Sequence, residues 1–340
     1  MHPTPREVLV FDIGGTNLRA AIYCVATHTL RRTVRIPMVN HRTMPWASCE
    51  MLQTHLFAQM AKATQQLLGH ALPEVVCMAF PGPIDPSGHV LAAPTVWGDR
   101  CRDSVDIDKA LRALWPAAQI TVVNDVTAAG YRYMSRLDDD FCIVTVSSGI
   151  GHKVFLQGRP VIGPAGRGGE IGHVQVDFAD DAPLCDCGGR GHLGAVASGR
   201  GSWFQASRLA ALAPAEFARS QLGREVDGCL DQVDNTAIVK AFHHDDAWTA
   251  RLVRCMARPL GQVLATIHLT LGIERFVIVG GFALALGPAY RALLVEAATS
   301  CCWSLSGHWD EMIELGEADD DAGLIGAARL VTMYTSQIGT

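Results

Sequence analysis

Apolar residues fall into short unbroken runs bounded by glycine, proline and polar clusters, and into longer stretches with helical spacing. The first run, Val8 to Ile13, stops at Gly14-Gly15. A second, Leu18 to Val25, follows at once, and a third lies around Thr33 to Met38. Two strands joined by a glycine turn predict a hairpin. Trp46 to Leu68 has helical spacing. Val75 to Phe80 predicts a short buried strand ending at Pro81-Gly82-Pro83, Ile107 to Trp115 a short helix, and Ile120 to Val123 another buried strand.

The opening pattern then returns. Phe141 to Val146 is apolar and β-branched, breaks at Ser147-Ser148-Gly149-Ile150-Gly151, and resumes at Lys153 to Leu156. The chain therefore holds two strand–glycine turn–strand units. Residues 164–201 are glycine-rich, with Cys and His, and are expected to be irregular. Helical patterns cover Ala247 to Leu271, Ala289 to Thr299 and Ala322 to Tyr334. Strands are expected at Phe276 to Val279, ending at Gly280-Gly281, and at Ile313 to Leu315. Strands alternating with helices predict an α/β protein. No low-complexity segment or long polar linker interrupts the 340 residues, a length that suits two domains. The expected division is an N-terminal α/β lobe over 1–120 and a C-terminal α/β lobe over 121–320, with a cleft between packed lobes. The closing helix, 321–340, is expected to pack back on the first lobe.

Composition narrows the function classes. At 49% hydrophobic and 18% charged, the chain can build a real core, and its net charge of −6 argues against a protein that coats nucleic acid. The longest apolar stretch, Phe276 to Leu286, is too short to span a bilayer, and the first seven residues lack the regions of a signal peptide. A soluble, cytoplasmic protein is expected, with no nucleic-acid or membrane partner. Eleven cysteines, mostly isolated in apolar runs (Cys24, Cys77, Cys142), with Cys301 and Cys302 adjacent, do not look like a disulfide framework and are expected to serve as small buried hydrophobes. Cys185 and Cys187 differ because of their company.

Four motifs carry chemistry. In Phe11-Asp12-Ile13-Gly14-Gly15-Thr16-Asn17, glycines directly after a strand let backbone N–H groups approach an anion, Thr16 and Asn17 add side-chain donors, and Asp12 can hold Mg²⁺ through water. The motif is neither a dinucleotide fingerprint nor a Walker P-loop, and by itself it equally suits a plain hairpin turn. Ser147-Ser148-Gly149-Ile150-Gly151 repeats the device, and two such turns facing each other would hold the β- and γ-phosphates of a nucleotide. In Val123-Asn124-Asp125 a carboxylate closes a buried strand. It can take the proton of an attacking hydroxyl, or it can simply cap the helix starting near Val126. The fourth motif runs Gly169-Glu170-Ile171-Gly172-His173, then Cys185-Asp186-Cys187-Gly188-Gly189-Arg190-Gly191-His192. His173, Cys185, Cys187 and His192 supply the two imidazoles and two thiolates of a closed structural zinc site, within the loop 169–194.

In this order and spacing, Asp-Ile-Gly-Gly-Thr, Val-Asn-Asp, Gly-Glu-Ile-Gly-His and Cys-x-Cys-Gly-x-x-Gly resemble the ROK family of repressors and sugar kinases over nearly the whole chain. Phe80 to Asp85, the Val279-Gly280-Gly281 turn and Asp320 to Ala327 extend the match. The resemblance implies a two-lobed actin-like, ribonuclease H-like ATPase fold with a zinc-binding loop. It implies an ATP-dependent kinase with Mg²⁺ and structural Zn²⁺. ATP would lie on Asp12, Gly14, Gly15, Thr16, Asn17, Ser148, Gly149, Gly280 and Gly281. Asp125 becomes the catalytic base, and Gly82, Thr95, Asn124, Glu170 and His173 join it in holding the substrate. A homodimer is the assembly common among relatives, although no residue here marks an interface.

Departures from the family pattern bear on the substrate. His192 stands where the family has its third zinc cysteine, Gly194 where it has a glutamate near the anomeric carbon, and Thr95 where an asparagine is common. A C7-cyclitol lacks an anomeric hydroxyl yet keeps an exocyclic primary alcohol, and the stretch from Gly280 to Arg329 resembles the cyclitol kinases of aminocyclitol antibiotic pathways. The expected reaction is phosphorylation of a C7-cyclitol at its 7-hydroxyl. The alternatives are an ordinary hexose kinase (glucokinase, fructokinase or N-acetylmannosamine kinase type) and a non-catalytic sugar-binding member. A sugar-sensing repressor is disfavoured because the first glycine turn begins at residue 12, which leaves no room for a DNA-binding segment before it.

Overall fold

The computed structural model describes residues 6–85, 87–98, 101, 103–303 and 307–337. The chain divides into two compact units. One comprises Met1–Asp139, Gly158–Gly168 and Asp319–Thr340, the other Asp140–Gln157 and Gly169–Ala318.

In the first unit, β1 (Glu7–Ile13), β2 (Asn17–Cys24) and β3 (Thr29–Pro37) form an antiparallel meander. Helix α1 (Cys49–Leu68) follows, then β4 (Val75–Phe80), the two-residue strands β5 (His89–Val90) and β6 (Val105–Asp106) with α2 (Pro94–Trp97) between them, α3 (Ile107–Leu114), β7 (Gln119–Asn124) and α4 (Asp125–Tyr133). The sheet order is β3-β2-β1-β4-β7, with β1, β4 and β7 parallel. Six of the seven β1 residues are buried, as befits a strand covered on both faces, and Phe11, Leu56, Met78 and Trp97 are among its core.

In the second unit, β8 (Phe141–Val146) and β9 (Ile150–Leu156) form the second hairpin; the two-residue β10 (Arg159–Pro160) lies on the 158–168 segment of the first unit. The loop containing the Cys/His motif leads to α5 (Leu193–Ala197), α6 (Ser202–Leu212), α7 (Pro214–Arg219), α8 (Gln221–Glu225), α9 (Asn235–His243) and α10 (Ala247–Leu271). Strand β11 (Phe276–Val279), α11 (Gly281–Cys301), α12 (Trp309–Met312) and β12 (Ile313–Leu315) complete this unit. Strands β9, β8, β11 and β12 lie side by side, β8, β11 and β12 being parallel. This repeats the β2-β1-β4-β7 order of the first sheet, so the two hairpins seen in the sequence begin two sheets of one design.

The unit boundary falls after Asp139 rather than at 120/121. Strand β7 pairs with β4 along its length, from Val75–Gln119 to Phe80–Asn124, and this ladder keeps β7 and α4 in the first unit. Helix α13 (Ala322–Gln337) packs on β1 and α4 of that unit; residues 338–340 of the expected closing helix lie outside the described residues.

The cysteines depart from expectation in part. Cys24, Cys77 and Cys142 are buried, and burial pushes the Cys77 thiol up to about 12 and that of Cys142 higher. Cys49 and Cys101, however, form a disulfide with Cα atoms 5.3 Å apart: the first residue of α1 and the segment after α2 meet although they lie 52 positions apart in the sequence. Cys255 and Cys301 are exposed rather than buried. Among the described residues no helix is long and apolar enough to cross a membrane.

Candidate active site and metal cluster

The parallel strands of the first unit end together. At the C-terminal ends of β1, β4 and β7 stand Gly14-Gly15, Pro81-Gly82-Pro83 and Asp125 respectively, the place where parallel α/β sheets take ligands. The first turn is closed by a hydrogen bond from Gly14 N to Asn17 O (2.9 Å), so the backbone donors it can offer come from Gly15 onward. Thr95, at the second position of α2, packs beside it: a Cβ on Gly15 would stand 3.3 Å from the Thr95 Cβ. Gly82 has φ +113°, and a Cβ there would come within 1.9 Å of Ala92 O, so only glycine lets this loop lie against the segment leading to Thr95.

At Asn124-Asp125 the helix cap falls on the asparagine, and Asp125 is the first residue of α4. Asn124 is the N-cap: its Oδ1 accepts from Thr127 N at 3.1 Å. Its amide donates to Gly82 O (3.0 Å) and to Asp125 Oδ1 (2.9 Å), and Val126 N also donates to that oxygen (2.8 Å). Asparagine therefore fixes both the loop carbonyl and the carboxylate beside it.

Asp12, 5% exposed, meets Arg19 Nη2 at 2.5 Å through its Oδ2. Burial raises its pKa above the ordinary carboxylate value; Arg19 opposes this rise and Asp320 adds to it. Arg19 and Arg35 both bond Asp320, while Arg132 binds Asp319 through two bonds of 2.5 and 2.8 Å, which holds the Asp319 carboxyl below its usual range.

In the second unit, the turn after β8 is closed by Ser147 N to Gly149 O (2.9 Å), and Val279 pairs with Thr145, so Gly280-Gly281 follow the neighbouring parallel strand. Helix α11 begins at Gly281 itself. Glu170 lies beside a residue that motif reasoning missed. Lys153, 3% exposed, places its Nζ 3.3 Å from Gly169 O and 3.6 Å from Glu170 Oε1. The signal available was a lysine directly before the apolar run Val154 to Leu156, which requires a buried partner.

The four expected metal ligands converge. Ligand atoms of His173, Cys185, Cys187 and His192 all lie within 4.8 Å of one another. Cys185 Sγ is 3.6 Å from His173 Nδ1, and Cys187 Sγ is 3.2 Å from His192 Nδ1. Zinc bonds of 2.0–2.3 Å in tetrahedral geometry set neighbouring ligands about 3.3–3.8 Å apart, so the donor set and its spacing fit that ion. Backbone bonds from Cys185 N to Gly189 O and from Gly188 N to Cys185 O form the knuckle. Gly189 leaves room for the fourth ligand, since a Cβ there would fall 2.3 Å from the His192 ring. Gly194 is buried in α5, where a Cβ would stand 3.2 Å from Gly172 O.

Two sheets of matching order, each ending in a glycine turn, define the actin-like ATPase fold. The sequence profile of the ROK family matches residues 8–333, and the chain belongs to that family. It is 38% identical over 335 residues to a C(7)-cyclitol 7-kinase of Streptomyces hygroscopicus subsp. limoneus, covering 97% of this chain and 95% of the relative. It is 30% identical over 303 residues to a 2-epi-5-epi-valiolone 7-kinase of an Actinoplanes species, covering 86% and 82%. A ROK family glucokinase from Streptomyces griseus, crystallised with glucose and AMPPNP, superposes with a TM-score of 0.74 at 24% identity, over 95% of this chain and 98% of that one.

Proposed function

We propose that the protein is an ATP-dependent kinase that phosphorylates the exocyclic 7-hydroxyl of a C7-cyclitol. Asp125 carries the phosphotransferase reading: it is a carboxylate at the end of a parallel strand, oriented by Asn124 and in the same unit as the first glycine turn. Asp125 takes the proton of the acceptor hydroxyl as its oxygen bonds to the γ-phosphorus, and the bond to the β-phosphate oxygen breaks to release ADP. For the acceptor, the candidate residues are Gly82, Thr95 and Asn124 beside Asp125, together with Glu170 and His173 by resemblance to the family. The residues proposed for ATP are Gly15, Thr16 and Asn17 at the first glycine turn, Ser148 and Gly149 at the second, and Gly280 and Gly281 after β11. Mg²⁺, held through Asp12, would neutralise the phosphates. Zinc on His173, Cys185, Cys187 and His192, with every position filled by protein, would shape the loop presenting Glu170. A cytoplasmic location is proposed with this reading, because the reaction consumes ATP.

The acceptor is narrowed by the full-length similarity to a C(7)-cyclitol 7-kinase and by Gly194, which removes the carboxylate expected near an anomeric hydroxyl that a cyclitol lacks. ADP release should be followed with 2-epi-5-epi-valiolone, related C7-cyclitols, glucose and N-acetylmannosamine. Cyclitols should exceed the hexoses in kcat/KM by about tenfold or more, the scale set by one mismatched polar contact. A preference for glucose would make the protein an ordinary hexose kinase. Asp125→Asn should keep the fold and lower kcat by about 10²–10⁴-fold; unaltered turnover would remove Asp125 from the mechanism.

A further inference from the structure

The second glycine turn rests on the segment just after α5. Gly199 N donates to Ser147 O (2.8 Å), Ser198 Oγ donates to Ser148 O (2.9 Å), and Arg200 N donates to Ser198 Oγ (3.3 Å). Arg200 is thereby fixed at its backbone beneath the turn, and its side chain extends along it. Nη2 lies 3.5 Å from where a Cβ on Gly149 would stand. Nη1 forms an ion pair with Oδ2 of Asp186, the residue between the two cysteines of the metal cluster. The Arg200 side chain is 45% exposed and borders a cavity of about 360 Å³ that Cys185 and Trp203 also line.

Guanidinium presents donors along more than one edge of a rigid plane, so an edge committed to a carboxylate leaves another for a second anion. Here Asp186 takes one nitrogen while the other points at the glycine whose missing side chain opens the turn. A phosphate resting on that turn would meet a cation already aimed at it, and fixed charges of this kind need no reorganisation when negative charge develops. The aim depends on the knuckle, because Asp186 sits between two metal-binding thiols.

We propose that Arg200 is a phosphate-binding residue of the second glycine turn, contacting the β- and γ-phosphoryl groups of ATP, and that Asp186 is its positioning residue. This rests on the kinase reading above. The test is calorimetric titration of the full-length, metal-loaded protein with ATP, ADP and AMP, accompanied by thermal melts and metal analysis. Arg200→Gln should weaken ATP and ADP by about ten- to a hundredfold, the scale of a lost charge-assisted hydrogen bond, and leave AMP within about twofold of the unmodified protein. Arg200→Lys should recover part of the loss. Asp186→Asn should weaken ADP several-fold while the metal content stays the same.

Equal losses for AMP and ADP in Arg200→Gln would show that the residue supports the fold, which overturns the proposal. Unchanged ADP affinity in that variant would overturn it too, and would leave the kinase reading standing. An unmodified protein that binds no adenine nucleotide would overturn both.

Discussion

Gly323, the second residue of α13, lies so close to Asp12 that a Cβ on it would fall 2.3 Å from Asp12 Oδ2. The first turn of the closing helix thus abuts the carboxylate at the end of β1, and its partly positive N-terminus joins Arg19 in facing that group. These contacts do not fully offset the burial of the charge, because the Asp12 pKa is raised. An acid whose folded pKa is raised contributes stability that is present below the unfolded value of 3.8 and lost as the pH rises through the folded value. Ionising Asp12 in the folded protein therefore costs stability. Asp12→Asn is expected to melt at or above the temperature of the unmodified protein while losing Mg²⁺-dependent turnover. A lower melting temperature at pH 7 would show that the pair with Arg19 outweighs desolvation.

The metal cluster gives a prediction independent of catalysis. Elemental analysis should return one zinc per chain, and Cys187→Ser, which removes one of four ligands, should return much less. Because structural zinc contributes directly to folding free energy, strong chelators should lower the melting temperature and weaken acceptor binding. Carefully prepared protein that contains no zinc and does not respond to chelators would leave the four side chains as a metal-free cluster.

Lys153 and Glu170 predict a split between the two substrates. Lys153→Met removes the buried cation 3.6 Å from Glu170 Oε1 and leaves Gly169 O without that donor. The acceptor KM should rise by about tenfold, in line with a misplaced charge-assisted contact, and the ATP KM should stay close to its original value. Parallel changes in both constants would assign Lys153 to general stability.

Legibility in the sequence followed how local each feature is. Helix α10 matched its predicted bounds because Asp246 caps one end and Gly272 adopts the left-handed conformation at the other, with regular apolar spacing between. Helix α11 begins eight residues before the predicted Ala289: Gly280-Gly281 read as a turn and Gly287-Pro288 as a break, whereas the helix continues through a kink at Gly287. Helices α6 to α9 gave no clear period because Pro214 and Ser220 start new segments after only six to eleven residues. The metal ligands were readable because His173 to His192 lie within one loop. Contacts between distant positions were not. No local pattern joins Arg200 to Asp186, Lys153 to Glu170 or Cys49 to Cys101, and the Asn124 cap emerged only when Thr127 N was seen on its side chain.

His152 sets a pH dependence of opposite sign to that of Asp12. It is 7% exposed on β9, and its Nδ1 accepts from Ile171 N at 3.3 Å, inside the motif that carries Glu170. Burial, followed by the charge of Lys153, lowers its pKa from 6.5 to about 4. The unfolded chain therefore binds this proton first as the pH falls, so the stability His152 contributes is present above pH 6.5 and is lost on the way down to about 4. For such a shift the loss between pH 7.5 and 5.0 is about 2 kcal/mol. Urea unfolding at those two pH values isolates this group when the protein is compared with His152→Gln, whose side-chain oxygen can still accept from Ile171 N. The variant should lose about 2 kcal/mol less than the unmodified protein over that interval. Equal losses in the two proteins would mean that His152 is protonated in the folded state, and that acid sensitivity arises at other groups.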